Sequence, residues 1–220
     1  MDISANINKL TGEVPPGVKV VAVSKTRTPE EIMKLYSAGH KIIGENKVQE
    51  LVVKKEALPA DIEWHMVGHL QSNKVKYIAP FVSLIHSVDS LKLIKTINKE
   101  AKKNGRIIDI LLQVHIALED SKFGFSENEV YDLLSSFAVD DYPGVRVRGL
   151  MGMATFTDDE DVIRAEFRRL SGIFRNISDG IMGGYDHFNE LSMGMSDDYH
   201  IAVEEGSTIV RIGSLIFGER

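Results

Sequence analysis

Short β-branched apolar runs alternate with amphipathic helical stretches from one end of this chain to the other, and that alternation constrains the fold more than any other feature. The runs fall at residues 18–23, 41–43, 62–67, 84–88, 107–116, 145–151, 190–193 and 208–212. Between them the pattern predicts helices over 28–38, 48–58, 74–79, 91–103, from 126 to about 137 and from 157 to about 177. Thr28-Pro29-Glu30-Glu31 and Ser126-Glu127-Asn128-Glu129 read as capping boxes, the first with Pro at the opening helical position, and Thr157–Glu160 is expected to cap the long helix. Gly39 and Asn104-Gly105 stop the helices before them.

Parallel strands buried on both faces read as near-continuous apolar runs, so eight strand–helix units predict a (β/α)8 TIM barrel, with an open doubly wound sheet as the alternative. Residues 1–17 read as a lead-in helix closed by the turn Pro15-Pro16-Gly17. No low-complexity or Pro/Ser-rich break divides the chain, so residues 1–220 are expected to form a single domain.

Composition then removes function classes. With 43% hydrophobic and 26% charged residues the chain is expected to be an ordinary soluble protein. No apolar run approaches the ~18 residues a membrane span needs. The N-terminus lacks a basic and an apolar signal region, which predicts a cytoplasmic location. Zero cysteines exclude disulfides, thiolate metal sites and cysteine nucleophiles. A net charge of -6 argues against nucleic acid as a partner. His65, His69, His86 and His115 suggest no metal, because His65-Met66-Val67-Gly68-His69 lacks the glutamate of a zinc-protease motif.

Barrels of this kind place their chemistry at the C-terminal ends of the strands, and those ends are strongly polar here. They carry Ser24-Lys25-Thr26, Glu45-Asn46, His65 with His69 and Gln71, His86 with Asp89, His115, Met151-Met153, the run Ser192 to Ser196, and Arg211-Gly213-Ser214. A lysine at a strand end such as Lys25 can, if burial strips its proton, attack a carbonyl to form a Schiff base. On position alone a surface lysine with its head in water is the favoured reading. The turns at Ser192–Ser196 and Gly213-Ser214 follow the seventh and eighth strands, where such barrels often bind phosphate. Ser196 is equally readable as the N-cap of a helix beginning at Asp197-Asp198, two acids that must point outward if phosphate binds. Arg211 interrupts an apolar strand and needs a partner, either Glu190 or Glu219 or a ligand.

Ala22-Val23-Ser24-Lys25-Thr26, Gly44-Glu45-Asn46-x-x-Gln49-Glu50, Trp64-His65-x-x-Gly68-x-Leu70-Gln71-x-Asn73-Lys74 and Arg148-Gly149-Leu150-Met151 occur in that order. Leu191-Ser192-Met193-Gly194-Met195-Ser196-Asp197-Asp198 and Gly206-Ser207-Thr208-x-Val210-Arg211-Ile212-Gly213-x-x-Ile216-Phe217-Gly218 follow them. Across residues 18 to 218 these blocks closely resemble the pyridoxal phosphate homeostasis protein family, which is similar to the N-terminal barrel of alanine racemase and of bacterial-type ornithine decarboxylase without their second, β-rich domain. The resemblance implies that Lys25 holds pyridoxal 5′-phosphate (PLP) as an internal aldimine, which reverses the positional preference. It also implies that Ser192, Gly194, Ser196, Gly213 and Ser214 hold the phosphate, that Arg211 lies by the pyridine nitrogen, and that Asn46, His65 and Met193 line the ring. Two positions depart from the family. Ser214 stands where threonine is usual and keeps the hydroxyl, and His115 stands where a Val/Ile-Asn pair is more common and is expected to alter the pocket wall.

PLP enzymes that exploit the full electron sink usually set a carboxylate against the ring nitrogen; an arginine there keeps the nitrogen unprotonated and weakens the sink. Racemisation also needs bases on both faces of the substrate carbon, and the related racemase takes one from its second domain, for which 220 residues leave no room. The expectation is a monomeric PLP-binding protein of intracellular vitamin B6 homeostasis that exchanges PLP with apo forms of PLP-dependent enzymes without efficient catalysis. The alternatives are a low-activity amino-acid racemase with His65 or Tyr199 as second base, and a cofactor-free Schiff-base aldolase. Lys47 and Lys74 are further lysines near strand ends where PLP is able to bind secondarily.

Overall fold

Eight parallel strands pair in sequence order and close into a barrel: β1 (Lys19–Val23), β2 (Ile42–Glu45), β3 (Glu63–Met66), β4 (Leu84–Val88), β5 (Ile108–Gln113), β6 (Val145–Met151), β7 (Glu190–Ser192) and β8 (Ile209–Ile212). Closure is made by β8 against β1, from Lys19 opposite Ile209 to Ala22 opposite Ile212. The computed structural model describes residues 2–118, 123–136 and 141–219, and within them the predicted TIM barrel, not the open sheet, is what forms.

The outer ring contains α1 (Ile3–Glu13), α2 (Pro29–Ser37), α3 (Val48–Ala57), α4 (Val75–Ile78), α5 (Leu91–Lys103), α6 (Glu127–Ser135), α7 (Glu160–Asp179), α8 (Tyr199–Glu204) and α9 (Ser214–Phe217). Both predicted capping boxes are present, with reciprocal bonds between Thr28 and Glu31 and between Ser126 and Glu129. The cap of α7 is Asp159, which takes the N–H groups of Asp161 and Val162; Thr157 accepts from the Asp159 N–H instead. The helix end expected near Phe137 lies outside the described residues. Strand β5 is shorter than the apolar run suggested, because Val114 pairs with Phe125 in an isolated bridge.

Alternation along each strand sorts the core into two layers. Val20, Ala22, Val210 and Ile212 pack outward with the helices, where Ile163, Phe167, Leu170 and Ile177 of α7 form a stripe at helical spacing. Val21, Leu84, Leu111, Met151 and Ile209 form a separate cluster that fills the barrel interior. Each fully buried aliphatic side chain of this kind contributes about 1.5–3 kcal/mol. Toward the N-terminal ends of the strands, Lys19 and Arg148 pair with Glu190, and Arg146 and Arg148 pair with Asp109. No helix among the described residues is long and apolar enough to cross a membrane.

Candidate functional site

At the opposite, C-terminal end of the barrel the strands open into a cleft of about 600 Å3. Its walls include Lys25, Asn46, Ser196, Arg211, Gly213 and Ser214, brought together from the ends of β1, β2, β7 and β8. Arg27, Met153, Met195 and Asp197 also line it.

The turn after β1 presents Lys25. Ser24 is completely buried, its carbonyl accepts from the Arg27 N–H at 2.9 Å, and Thr26 between them has φ +67°. This left-handed position of a turn is one that glycine or asparagine usually fills. A β-branched residue there stores roughly 1–3 kcal/mol of strain, which surrounding bonds must hold. Glu50 supplies one such bond by accepting the Thr26 N–H at 2.8 Å, and Arg27 supplies another by donating to the Gly218 carbonyl at 2.5 Å. Lys25 itself is exposed, so the burial invoked at the sequence level is not found.

Beneath this turn, Lys54 of α3 is buried and donates to Glu45 Oε1 at 2.5 Å, to the Ser24 carbonyl at 2.8 Å and to Glu50 Oε2 at 3.3 Å. The Ser24 hydroxyl donates to the same Glu45 oxygen at 2.6 Å. Burial pushes the Glu45 carboxyl up, and the bonds from Lys54 and Ser24 only partly oppose this. For Glu50 burial also works upward, but the Thr26 N–H and Lys54 outweigh it and hold the carboxyl below its usual value.

The floor of the cleft is Arg211, whose guanidinium donates to the Ser192 carbonyl at 2.9 Å, the Ser192 hydroxyl at 2.7 Å and the Gly152 carbonyl at 3.0 Å. These partners replace the Glu190 or Glu219 pairing considered from sequence. Its Nε makes no hydrogen bond within the described residues, and the residue lines the cleft. Burial lowers the guanidinium to about 10, against the attraction of Asp198, so it stays charged at neutral pH. Behind it a buried chain runs from Ser192 Oγ to His86 Nδ1 at 2.9 Å and from His86 Nε2 to His65 Nδ1 at 3.0 Å. Burial holds His65 near 3, with the Lys19 charge adding to the effect, and holds His86 well below the normal imidazole range.

Four of the sequence candidates therefore stand behind the cleft and not on its wall. His65 and Ser192 belong to this interior chain, Met193 is fully buried in the outer core, and the Gly194 carbonyl accepts from the Arg211 backbone N–H. Gly194 has φ +93°, and a Cβ there would lie 2.6 Å from Ala202 Cβ, so glycine is needed for the close packing of α8. Ser196 is not an N-cap: α8 starts two residues later than expected, after Asp198, and Ser196 Oγ accepts from the Gly213 N–H at 3.2 Å, tying the two turns together. Asp198 turns back to the Met195 N–H at 2.5 Å, while Asp197 lines the cleft instead of pointing away from it. His115 bonds through its backbone to Phe125 and, like Lys47 and Lys74, does not line the cleft. Among the described residues no group of His, Asp and Glu is arranged to hold a metal ion.

Asn46 carries the most direct sign of a ligand. Its Oδ1 is buried with no hydrogen-bond partner, although the residue borders an open cleft. Gly68 permits this placement, since a Cβ there would lie 2.4 Å from the Asn46 carbonyl oxygen. The residues that sequence reasoning left without a role are Glu45, Glu50, Lys54 and His86. The first two lie inside a quoted block, and the Glu50–Lys54 spacing of four on a helix was the legible signal for the third.

The chain matches the family model described as alanine racemase, N-terminal domain, over residues 2–220. A pyridoxal phosphate homeostasis protein of Aquifex aeolicus is 42% identical over 204 residues, covering 92% of this chain and 87% of that one. The structure of PipY from Synechococcus elongatus without PLP superposes with a TM-score of 0.91 at 32% identity, covering 98% of this chain and 100% of PipY. PipY with PLP bound superposes with a TM-score of 0.87 over the same shares.

Proposed function

This chain belongs to the pyridoxal phosphate homeostasis protein family, built on the alanine racemase N-terminal barrel, and we propose that it holds PLP through Lys25 and exchanges it with apo forms of PLP-dependent enzymes. The observation that carries this reading is the meeting, around one cleft, of an exposed lysine, an asparagine whose buried side-chain Oδ1 has no partner, and a charged arginine. Lys25, Arg27 and Arg211 outnumber Asp197 and Glu219 on the walls, a positive balance that suits a phosphate ester although Asp197 does not point away as expected, and the Ser196 and Ser214 hydroxyls with Gly213 are the groups that would hold it. Asn46 Oδ1 offers an acceptor to a donor on the ring, and Arg211 would face the ring nitrogen. Ser192 and Gly194 serve the cofactor indirectly, by fixing Arg211.

The covalent step needs only the residues present. Lys25 would hold the aldehyde through its amine nitrogen as a carbon–nitrogen double bond, with the aldehyde oxygen leaving as water. Release is the same exchange reversed with one water, which suits a carrier. When bound, PLP supplies an electron sink, and a donor-only guanidinium at its ring nitrogen leaves that sink weak. Neither proposed second base supports turnover: His65 is buried behind Arg211, and the Tyr199 hydroxyl faces Glu13 at 3.3 Å. A cysteine-free chain is suited to the reducing cytoplasm.

The test is an absorbance spectrum of the purified protein with added PLP, followed by borohydride reduction and peptide mass mapping. The expected result is a stoichiometric adduct on Lys25 that Lys25→Ala abolishes. Absence of an adduct at Lys25 overturns the proposal. Sustained loss of α-deuterium from an amino acid over many turnovers would favour the racemase.

A further inference from the structure

Between β2, α3 and the turn that carries Lys25 lies a buried ionic cluster to which the binding of PLP assigns no part. Lys54 Nζ reaches the Ser24 carbonyl at 2.8 Å, and through Glu50 it is linked to the Thr26 N–H. The residue before Lys25 and the residue after it are thus tied to one ammonium group. Glu45 completes the cluster by accepting from both Lys54 and the Ser24 hydroxyl.

We propose that Lys54, acting through Glu45 and Glu50, is a positioning residue that holds the Ser24–Arg27 turn in its left-handed form and so presents Lys25 to the cleft. This rests on the reading that Lys25 is the residue that captures the aldehyde. Three observations support it. A buried ion pair is a poor way to gain stability, since apolar residues of the same volume usually do as well, so its placement against the backbone of a ligand-binding turn points to geometry. Thr26 has a conformation that relaxes unless held, and Glu50 is the acceptor that holds its N–H. Lys25 is exposed and has no hydrogen bond of its own among the described residues, so its direction is set by its backbone. Lys54 touches no ligand in this scheme; it acts by restricting where Lys25 starts.

The experiment uses the full chain with Lys54→Met, Glu50→Ala and Glu50→Gln, and three measurements. Backbone amide exchange at Thr26 is followed without PLP. The rate of covalent capture is followed by absorbance with added PLP and assigned to Lys25 by borohydride reduction. Affinity is measured for pyridoxine 5′-phosphate, an alcohol with the same ring and phosphate that cannot form the Schiff base. Lys54→Met and Glu50→Ala are expected to accelerate Thr26 exchange and slow capture by about tenfold or more, with pyridoxine phosphate affinity within about twofold of the parent. Glu50→Gln should recover most of the capture rate, because its amide oxygen still accepts the Thr26 N–H. Parent-like exchange and capture in Glu50→Ala overturn the proposal, and so does a parallel loss of pyridoxine phosphate affinity, which marks general disorder. If Lys54→Met does not fold, Glu50→Ala decides, since that carboxylate is partly exposed. If the parent forms no adduct on Lys25, the PLP reading fails separately, and Thr26 exchange alone supports or overturns the positioning role.

Discussion

Arg211 donates from Nη1 to the hydroxyl of Ser192 at 2.7 Å inside the barrel, and that one contact sets the direction of a longer chain. Arginine has no acceptor, so the Ser192 oxygen receives and must give its own proton elsewhere. His86 Nδ1 at 2.9 Å is its one remaining neighbour in hydrogen-bond range among the described residues. His86 is then protonated on Nε2, donates to His65 Nδ1, and leaves His65 also protonated on Nε2. Long-range nitrogen–proton NMR should report the Nε2–H tautomer for both rings. An Nδ1–H signal from His86 contradicts the scheme. Ser192→Ala removes the relay and leaves a buried Arg211 N–H donor and the His86 Nδ1 acceptor without their partner, at an expected cost of about 1–3 kcal/mol in urea unfolding.

The same two imidazoles predict how stability follows pH. Burial keeps His65 near 3 and His86 below its usual range, so both are neutral in the folded protein. In the unfolded chain they take up protons below about 6.5. Their contribution is therefore fully present above that value and is lost as pH falls toward the folded value. Glu45 and Asp198, whose carboxyls burial raises, act in the other direction and offset the loss in strong acid. Between pH 7 and 5 we expect a decline on the order of 1–2 kcal/mol per imidazole. Urea midpoints across that range should show a shallower slope in His86→Asn; an unchanged slope refutes the assignment.

Thr26→Gly separates strain from stability. Glycine accepts φ +67° without a Cβ penalty, so the variant should keep or gain up to about 1 kcal/mol of stability although it enlarges the unfolded ensemble. Calorimetry would show this as an unchanged or raised Tm. A loss exceeding about 2 kcal/mol means that the Thr26 side chain contributes more than the strain it stores.

Gly68→Ala should displace Asn46. The added methyl would meet the Asn46 carbonyl oxygen at 2.4 Å and its Cα at 2.8 Å, contacts that only a backbone shift relieves. The expected outcome is a loss of about 1–3 kcal/mol together with weaker retention of PLP. Retention at the parent level would show that Asn46 Oδ1 takes no part in holding the ligand.

The barrel was legible because buried parallel strands leave an unmistakable run of apolar residues, and the capping boxes at Thr28 and Ser126 mark two helix starts chemically. The N-cap alternative for Ser196 fails: a serine before two acids is a common cap pattern, but its actual partner, the Gly213 N–H, is 17 residues away in sequence. His65 and Ser192 sit at strand ends in the sequence, yet pleating turns their side chains into the interior, and a one-dimensional list of strand ends cannot distinguish cleft wall from barrel floor. Lys54 was invisible as a buried residue for a related reason. A lysine in the middle of an amphipathic helix reads as solvated until Glu45 from a neighbouring strand is placed against it.

Closing β8 on β1 has a consequence for traffic. The interior is packed with Val21, Leu84, Leu111, Met151 and Ile209, and the far end is laced by Lys19, Glu190, Arg148 and Asp109, so among the described residues no passage runs through the barrel and the cleft opens at its C-terminal end. On the proposed exchange of PLP, arrival and departure would share that opening, and one passenger would have to leave before the next could enter. A recipient waiting there to collect its cargo would bar reloading, so delivery would be fastest with partners that touch briefly and let go.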